Sequence, residues 1–113
     1  MKTKAIVAVL AAILAISTAH AAERATVEVQ NIKPNCSGCK MIDAVVKVTN
    51  TSGAPARSIS ISCALLDNGR AIDTGVALVR NVDAGQAAYD TIHLSPGAAT
   101  SRDVQCRVSA VNQ

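Results

Sequence analysis

The stretch Arg57-Ser58-Ile59-Ser60-Ile61-Ser62-Cys63-Ala64-Leu65-Leu66-Asp67 decides the fold class. Ile59, Ile61, Cys63 and Leu65 fall on one side of an extended chain, while Ser58, Ser60 and Ser62 fall on the other. A period of two is the side-chain period of a β-strand with one face toward a core. A slip of one residue would turn the serine row inward, so the register of this strand is strongly specified.

The same period recurs on both sides. Val27 and Val29 alternate with Thr26, Glu28 and Gln30, and Ala44, Val46 and Val48 oppose Val45, Lys47 and Thr49. Residues 72–79 and 87–94 read as further strands. At the end of the chain, Val104, Cys106, Val108 and Ala110 are expected to face inward, with Asp103, Gln105, Arg107 and Ser109 outward. Turn signals separate the runs at Asn50-Thr51-Ser52-Gly53-Ala54-Pro55, Asp67-Asn68-Gly69, Asp83-Ala84-Gly85 and Ser95-Pro96-Gly97. Asn-Gly supplies the positive φ angles that a tight hairpin demands. No segment beyond the N-terminal region keeps a 3.6-residue apolar period over three turns. The expectation is an all-β fold, a small antiparallel sandwich of six or seven strands of immunoglobulin-like type.

The chain has 113 residues, enough for one ordinary domain. Lys2 and Lys4 precede an uncharged apolar run from Ile6 to Ile16, and Ala19-His20-Ala21 follows as an A-x-A site. These are the three parts of a cleavable signal peptide, and the apolar run is shorter than the roughly 20 residues that span a bilayer. Residues 1–21 are therefore expected to be a signal peptide and residues 22–113 the single domain, with no stable membrane anchor after cleavage. Removing Lys2 and Lys4 leaves nine basic against eight acidic residues. So even a balance predicts no nucleic-acid partner. The expected location is periplasmic or secreted.

The exported chain has a core problem. It contains no Phe, no Trp and one Tyr, Tyr89. Its interior must consist of aliphatic side chains, each worth roughly 1.5 to 3 kcal/mol when fully buried. Small domains with thin cores commonly need staples, and four cysteines in an exported chain meet that need.

Val46-Lys47-Val48-Thr49-Asn50-Thr51-Ser52 resembles the V-x-V-x-N-x-S entry of the bacterial FxLYD domain, a small immunoglobulin-like module of exported proteins. Cys63-Ala64-Leu65-Leu66-Asp67 lies where that family's naming motif falls, with Leu65 and Asp67 matching, Cys63 in place of the Phe and Leu66 in place of the Tyr. Val82-Asp83-Ala84-Gly85-Gln86 looks like the family's L-x-P-G-E turn, with Gly85 kept and the Pro absent. The resemblance spans about residues 43–111 and implies a sandwich with no catalytic residue to carry over. Cys63 in the Phe position fits a core site that holds a disulfide.

Cys63 and Cys106 lie on the inward faces of the two clearest strands, and an oxidising compartment joins such neighbours. By loop entropy that closure is worth about 4 kcal/mol. Cys36 and Cys39 are separated by Ser37 and Gly38 in the connection after Pro34 and Asn35. Of the three pairings open to four cysteines, Cys36–Cys39 with Cys63–Cys106 is favoured, since sequence neighbours join readily.

A C-x-x-C pair also supports thiol–disulfide exchange when a positive field lowers its leading thiolate, and Lys33 and Lys40 stand nearby in sequence. The βαβ context that usually accompanies that chemistry is missing. Cys36-Ser37-Gly38-Cys39-Lys40 also resembles a lysine-ended haem attachment sequence, and Cys36, Cys39 and Met41 form a conceivable copper set. No second C-x-x-C or His pair completes a zinc site. His93 alternates outward with Tyr89 and Thr91 and reads as a surface histidine. Asn35-Cys36-Ser37 and Asn50-Thr51-Ser52 fit the glycosylation sequon, which the bacterial resemblance discounts.

No nucleophile–base pairing is legible, so neither catalytic nor metal-binding residues are expected, and no cofactor. The expected function is that of an exported, non-enzymatic module with a binding or structural role in the cell envelope. Its partner would be an envelope protein pairing with edge strands. A redox protein using Cys36 and Cys39, or a metal or cofactor carrier, is the alternative.

Overall fold

The alternation in residues 57–67 becomes one of six strands in the computed structural model, which describes residues 24–100 and 102–113. The expected signal segment lies outside those residues. The strands are β1 (Ala25–Pro34), β2 (Ile42–Asn50), β3 (Ala56–Asp67), β4 (Arg70–Val82), β5 (Ala87–Leu94) and β6 (Asp103–Asn112). They form two three-stranded antiparallel sheets, ordered β1-β2-β5 and β4-β3-β6. Pairing of β2 with β5 and of β3 with β6 matches strands B with E and C with F of immunoglobulin sandwiches, while β4 flanks β3. The fold is an all-β sandwich.

The inward rows meet between the sheets as the strand period requires. Ala44, Val46 and Val48 of β2 are fully buried, as are Ile59, Ile61 and Leu65 of β3. Ala77 and Val79 of β4, Ile92 and Leu94 of β5 and Val104 of β6 belong to the same core, as do Ala25, Ile42, Ala56, Cys63 and Val82. Ser58, Ser60 and Ser62 lie half-buried on the outer face between β4 and β6.

Expected and observed faces differ in β6. The register jumps from Ser60↔Ala110 to Ile61↔Val108, so Ser109 is bulged out of the ladder. One extra residue reverses the alternation beyond it. Ala110 is consequently exposed, and Val111 packs against the core in its place. Similar shifts occur at Gln30 in β1 and Ile72 in β4. Asn68 (φ 52°) and Gly69 (φ 77°) make the β3–β4 hairpin as the Asn-Gly pair requires.

Glycine has a different role at position 75. A Cβ there would lie 2.6 Å from the Cγ2 methyl of Ile92, because β5 crosses close over β4 at that point. Gly75 lies opposite Cys63, which in turn lies opposite Cys106. A residue without a side chain at one end of this row lets the two sheets approach.

The two ends of the sandwich are organised differently. At one end, Asn50 is fully buried and donates from Nδ2 to the carbonyls of Ala54 and Val82, each at 2.9 Å. Its Oδ1 accepts from the Ser52 amide (3.0 Å) and hydroxyl (2.7 Å). Backbone bonds tie Asn50 to Gly85 and Gln86, and Thr51 to Arg24. Gln113 reaches Ser52 Oγ at 2.7 Å. Both ends of the described chain meet there. The opposite end carries the 35–41 connection, the β3–β4 hairpin and residues 95–100 after β5.

Candidate functional site

Asn35 begins the connection between β1 and β2, and its amide donates to the Met41 carbonyl at 2.9 Å. That bond closes a short loop, within which Cys36 is disulfide-bonded to Cys39, Cα to Cα 5.1 Å. Cys36 is exposed and Cys39 half-buried. The second disulfide joins Cys63 to Cys106, directly opposed residues of β3 and β6 whose Cα atoms are 4.0 Å apart. It ties two neighbours of one sheet, unlike the B–F bridge of antibody domains, which ties the two layers. Cys63 is buried, and Cys106 is half-buried against the core.

The disulfide loop folds toward a polar cluster that sequence reading missed. Asp43 occupies the outward side of β2, yet it is buried. Its Oδ1 accepts from Asn35 Nδ2 at 2.9 Å and lies 2.6 Å from His93 Nδ1. Asn35 Nδ2 also approaches His93 Nδ1 at 3.5 Å. The strand ladders build this row, pairing Asp43 with Lys33 on one side and His93 on the other. The Asn35 amide, and then the His93 bond, hold the Asp43 carboxyl below its ordinary value; a favourable field from Lys33 adds to this against the opposing effect of burial. With a carboxylate at Nδ1, the His93 ring presents Nε2 outward from a side chain 58% exposed.

His93 is on the surface, as its alternation predicts, but it is anchored there. The signal in the sequence was Asp43 itself, one acid inside the apolar run Ile42-Asp43-Ala44-Val45-Val46. Its partner lies fifty residues away, and only strand pairing reveals it.

Beyond the disulfide lies a cleft of about 260 Å³, lined by Cys39 and Lys40 and, from the connection after β5, by residues 96–100 and Arg102. Pro96, Ala98 and Ala99 supply apolar lining, and Arg102 stands at its border, Nη1 3.5 Å from the Thr100 carbonyl. The far wall is held by two contacts. Asp73 Oδ2 accepts from the Ser95 amide at 2.6 Å, and the Ala99 amide donates to the Pro96 carbonyl at 3.1 Å.

Lys33 and Lys40, neighbours of Cys36 and Cys39 in sequence, have separate settings: Lys33 pairs in the ladder with Asp43, and Lys40 lines the cleft. Met41 is exposed. In the oxidised form Cys36 and Cys39 have no thiolate for copper or for a thioether link to haem. Among the described residues no group of three or more His, Cys, Asp or Glu side chains is placed to hold a metal ion. Asn50 is buried with its amide donating to two carbonyls, which rules out that sequon as an acceptor in the folded chain.

These features define a disulfide-stapled all-β sandwich whose loop end carries a cleft and an anchored histidine. No family model, curated protein or solved structure matches the chain.

Proposed function

We propose that this chain is an exported, non-enzymatic immunoglobulin-like module of FxLYD type, with a binding or structural role in the cell envelope. Two disulfides fit an oxidising compartment, and the N-terminal signal pattern supports export to the periplasm or beyond. The Asn50–Ser52 hub gives a structural reason for the V-x-V-x-N-x-S stretch that carries the family resemblance.

The observation that carries the binding role is the edge strand β4. It is thirteen residues long, one side of it has no strand partner among the described residues, and Val76 (81% exposed) and Leu78 (43%) project from it. An apolar edge of this length is a surface for strand addition or packing. The test is capture of envelope proteins by a photo-crosslinker at Val76 in living cells. One reproducible partner, lost when Leu78 is changed to Lys, is expected. A bare crosslinking profile together with a deletion strain of normal envelope integrity would sink the reading.

A second reading, thiol–disulfide exchange at Cys36–Cys39, is favoured by one observation, the exposure of Cys36. Its test is the reduction potential: a value below about −300 mV marks a structural bond. A higher value with insulin-reducing activity, abolished in Cys36→Ala, marks a redox protein.

A further inference from the structure

We propose that β4 pairs antiparallel with β4 of a second copy of this chain, about a two-fold axis beside Ala77, so that two sandwiches share one continuous six-stranded sheet. The inference rests on the reading of β4 as the binding edge and names the partner of that edge.

The four sheet edges differ in how they are guarded. Open edges are commonly blunted by a bulge, a proline or an inward-pointing charge. β1 is bulged at Gln30 and ends on Pro34. β6 is bulged at Ser109 and exposes Arg107. In β5, Asp90 lies on the same side of the strand as the core residues Ile92 and Leu94. Residues 74–79 of β4 carry neither a charge nor a proline. The irregularities of β4, a register shift at Ile72 and the positive φ of Asn81 (55°), lie outside that stretch. Between them residues 73–80 pair with β3 without interruption, so the free side is straight over the same length.

That stretch is complementary to itself. Directly opposed residues of an antiparallel pair share one face of the sheet, so the two-fold axis of a self-paired strand passes beside a residue. The midpoint of 73–80 leaves Val76 or Ala77. An axis at Ala77 sets Val76 against Leu78 of the second copy and Leu78 against its Val76, so the two exposed apolar residues of each chain cover those of the other. An axis at Val76 would set Leu78 against Thr74.

Charge agrees with this register. Arg80 comes opposite Thr74 of the second copy, and the two Arg80 residues lie six positions apart along the sheet, about 20 Å. Physiological salt screens charges at that separation. The pairing consumes the β4 edge of both copies, and the other edges are guarded, so assembly closes at two chains. Seven opposed residues bury less than the roughly 800 Å² per partner of a standard interface, which predicts a dimer that dissociates on dilution.

The test is sedimentation equilibrium of the exported, oxidised protein. Dimer at about 1 mM and monomer at about 1 µM are expected. Val76→Glu and Leu78→Lys, both at exposed positions, should each weaken dimerisation about tenfold. An equimolar mixture of the two variants should regain it, because in the mixed dimer the introduced carboxylate faces the introduced ammonium and the remaining Leu78 faces the remaining Val76. Circular dichroism reports whether each variant is folded. A monomer at about 1 mM, unchanged dimerisation in both variants, or a mixture of folded variants no stronger than either alone would each overturn the proposal. The photo-crosslinker at Val76 separates it from the reading on which it rests. An adduct of two copies of this chain is expected, whereas an adduct with a different protein overturns self-pairing and leaves the binding role of β4 standing.

Discussion

Asp43 holds His93 across the β2–β5 pair, Oδ1 to Nδ1 at 2.6 Å, with the Asn35 amide on the same oxygen at 2.9 Å. These partners favour the ionised carboxyl, and they exist only when the three strands and the disulfide loop are assembled.

The sign of the resulting pH dependence follows from linkage. Asp43 titrates lower in the folded chain than in the unfolded one. Its stabilisation is therefore complete above the ordinary carboxylate value and disappears as pH falls through the folded value. Urea unfolding of wild type and Asp43→Asn at pH 7 and pH 3 checks this. The stability lost between the two pH values should be smaller in the variant. Parallel losses in the two proteins would contradict the assignment.

Gly75→Ala should destabilise the fold by about 1 to 3 kcal/mol through overpacking, since the added methyl would meet Ile92 Cγ2 at 2.6 Å. Ile92 is buried and branched at Cβ, so that methyl has little room to move. A double-mutant cycle with Ile92→Ala should show strong coupling, because removing the Ile92 methyl opens the space that the methyl introduced by Gly75→Ala needs. Additive effects would place the clash elsewhere.

Asn50→Ala should cost about 2 to 4 kcal/mol, as it leaves the Val82 carbonyl without its side-chain donor at a buried site and frees the 51–55 turn. Asn50→Asp should be at least as damaging, because it replaces a donor with an acceptor facing two carbonyls. Denaturant midpoints of the two variants measure the effect.

The two disulfides should respond differently to reductant. Cys36 is exposed, whereas Cys63 is buried. Mild dithiothreitol followed by alkylation and mass spectrometry should therefore label Cys36 and Cys39 first. Replacing Cys63 and Cys106 with Ala should cost about 4 kcal/mol, and replacing Cys36 and Cys39 about half that, because the closed loops differ in length. Equal rates of labelling at the two pairs would show that the buried bond is not protected by the fold.

Strand character was legible throughout, because alternation is a local property of neighbouring residues. Ile59, Ile61, Cys63 and Leu65 face the core as their spacing requires, and Asn68-Gly69 turns the chain as those two residue types require. The face of Ala110 was not legible, since the bulge at Ser109 arises from pairing with β3 and leaves no mark in the pattern of β6.

The candidate site was legible only as parts. Cys36 and Cys39 announce themselves by spacing, and Lys40 by adjacency. Asp43, Asn35 and His93 become one cluster through two strand ladders, and the residues that line the cleft, from Cys39 to Arg102, lie far apart in the chain.

By itself, the sequence determined the all-β class and the strand faces outside the bulge in β6, because both follow from the period of side chains. Tertiary structure alone decided which strands are neighbours. It thereby set the Cys63–Cys106 bridge within one sheet, the glycine contact at Ile92 and the polar row beneath the disulfide loop. Register between distant strands is chosen by the packing of two whole faces against each other, and no local stretch of residues encodes it.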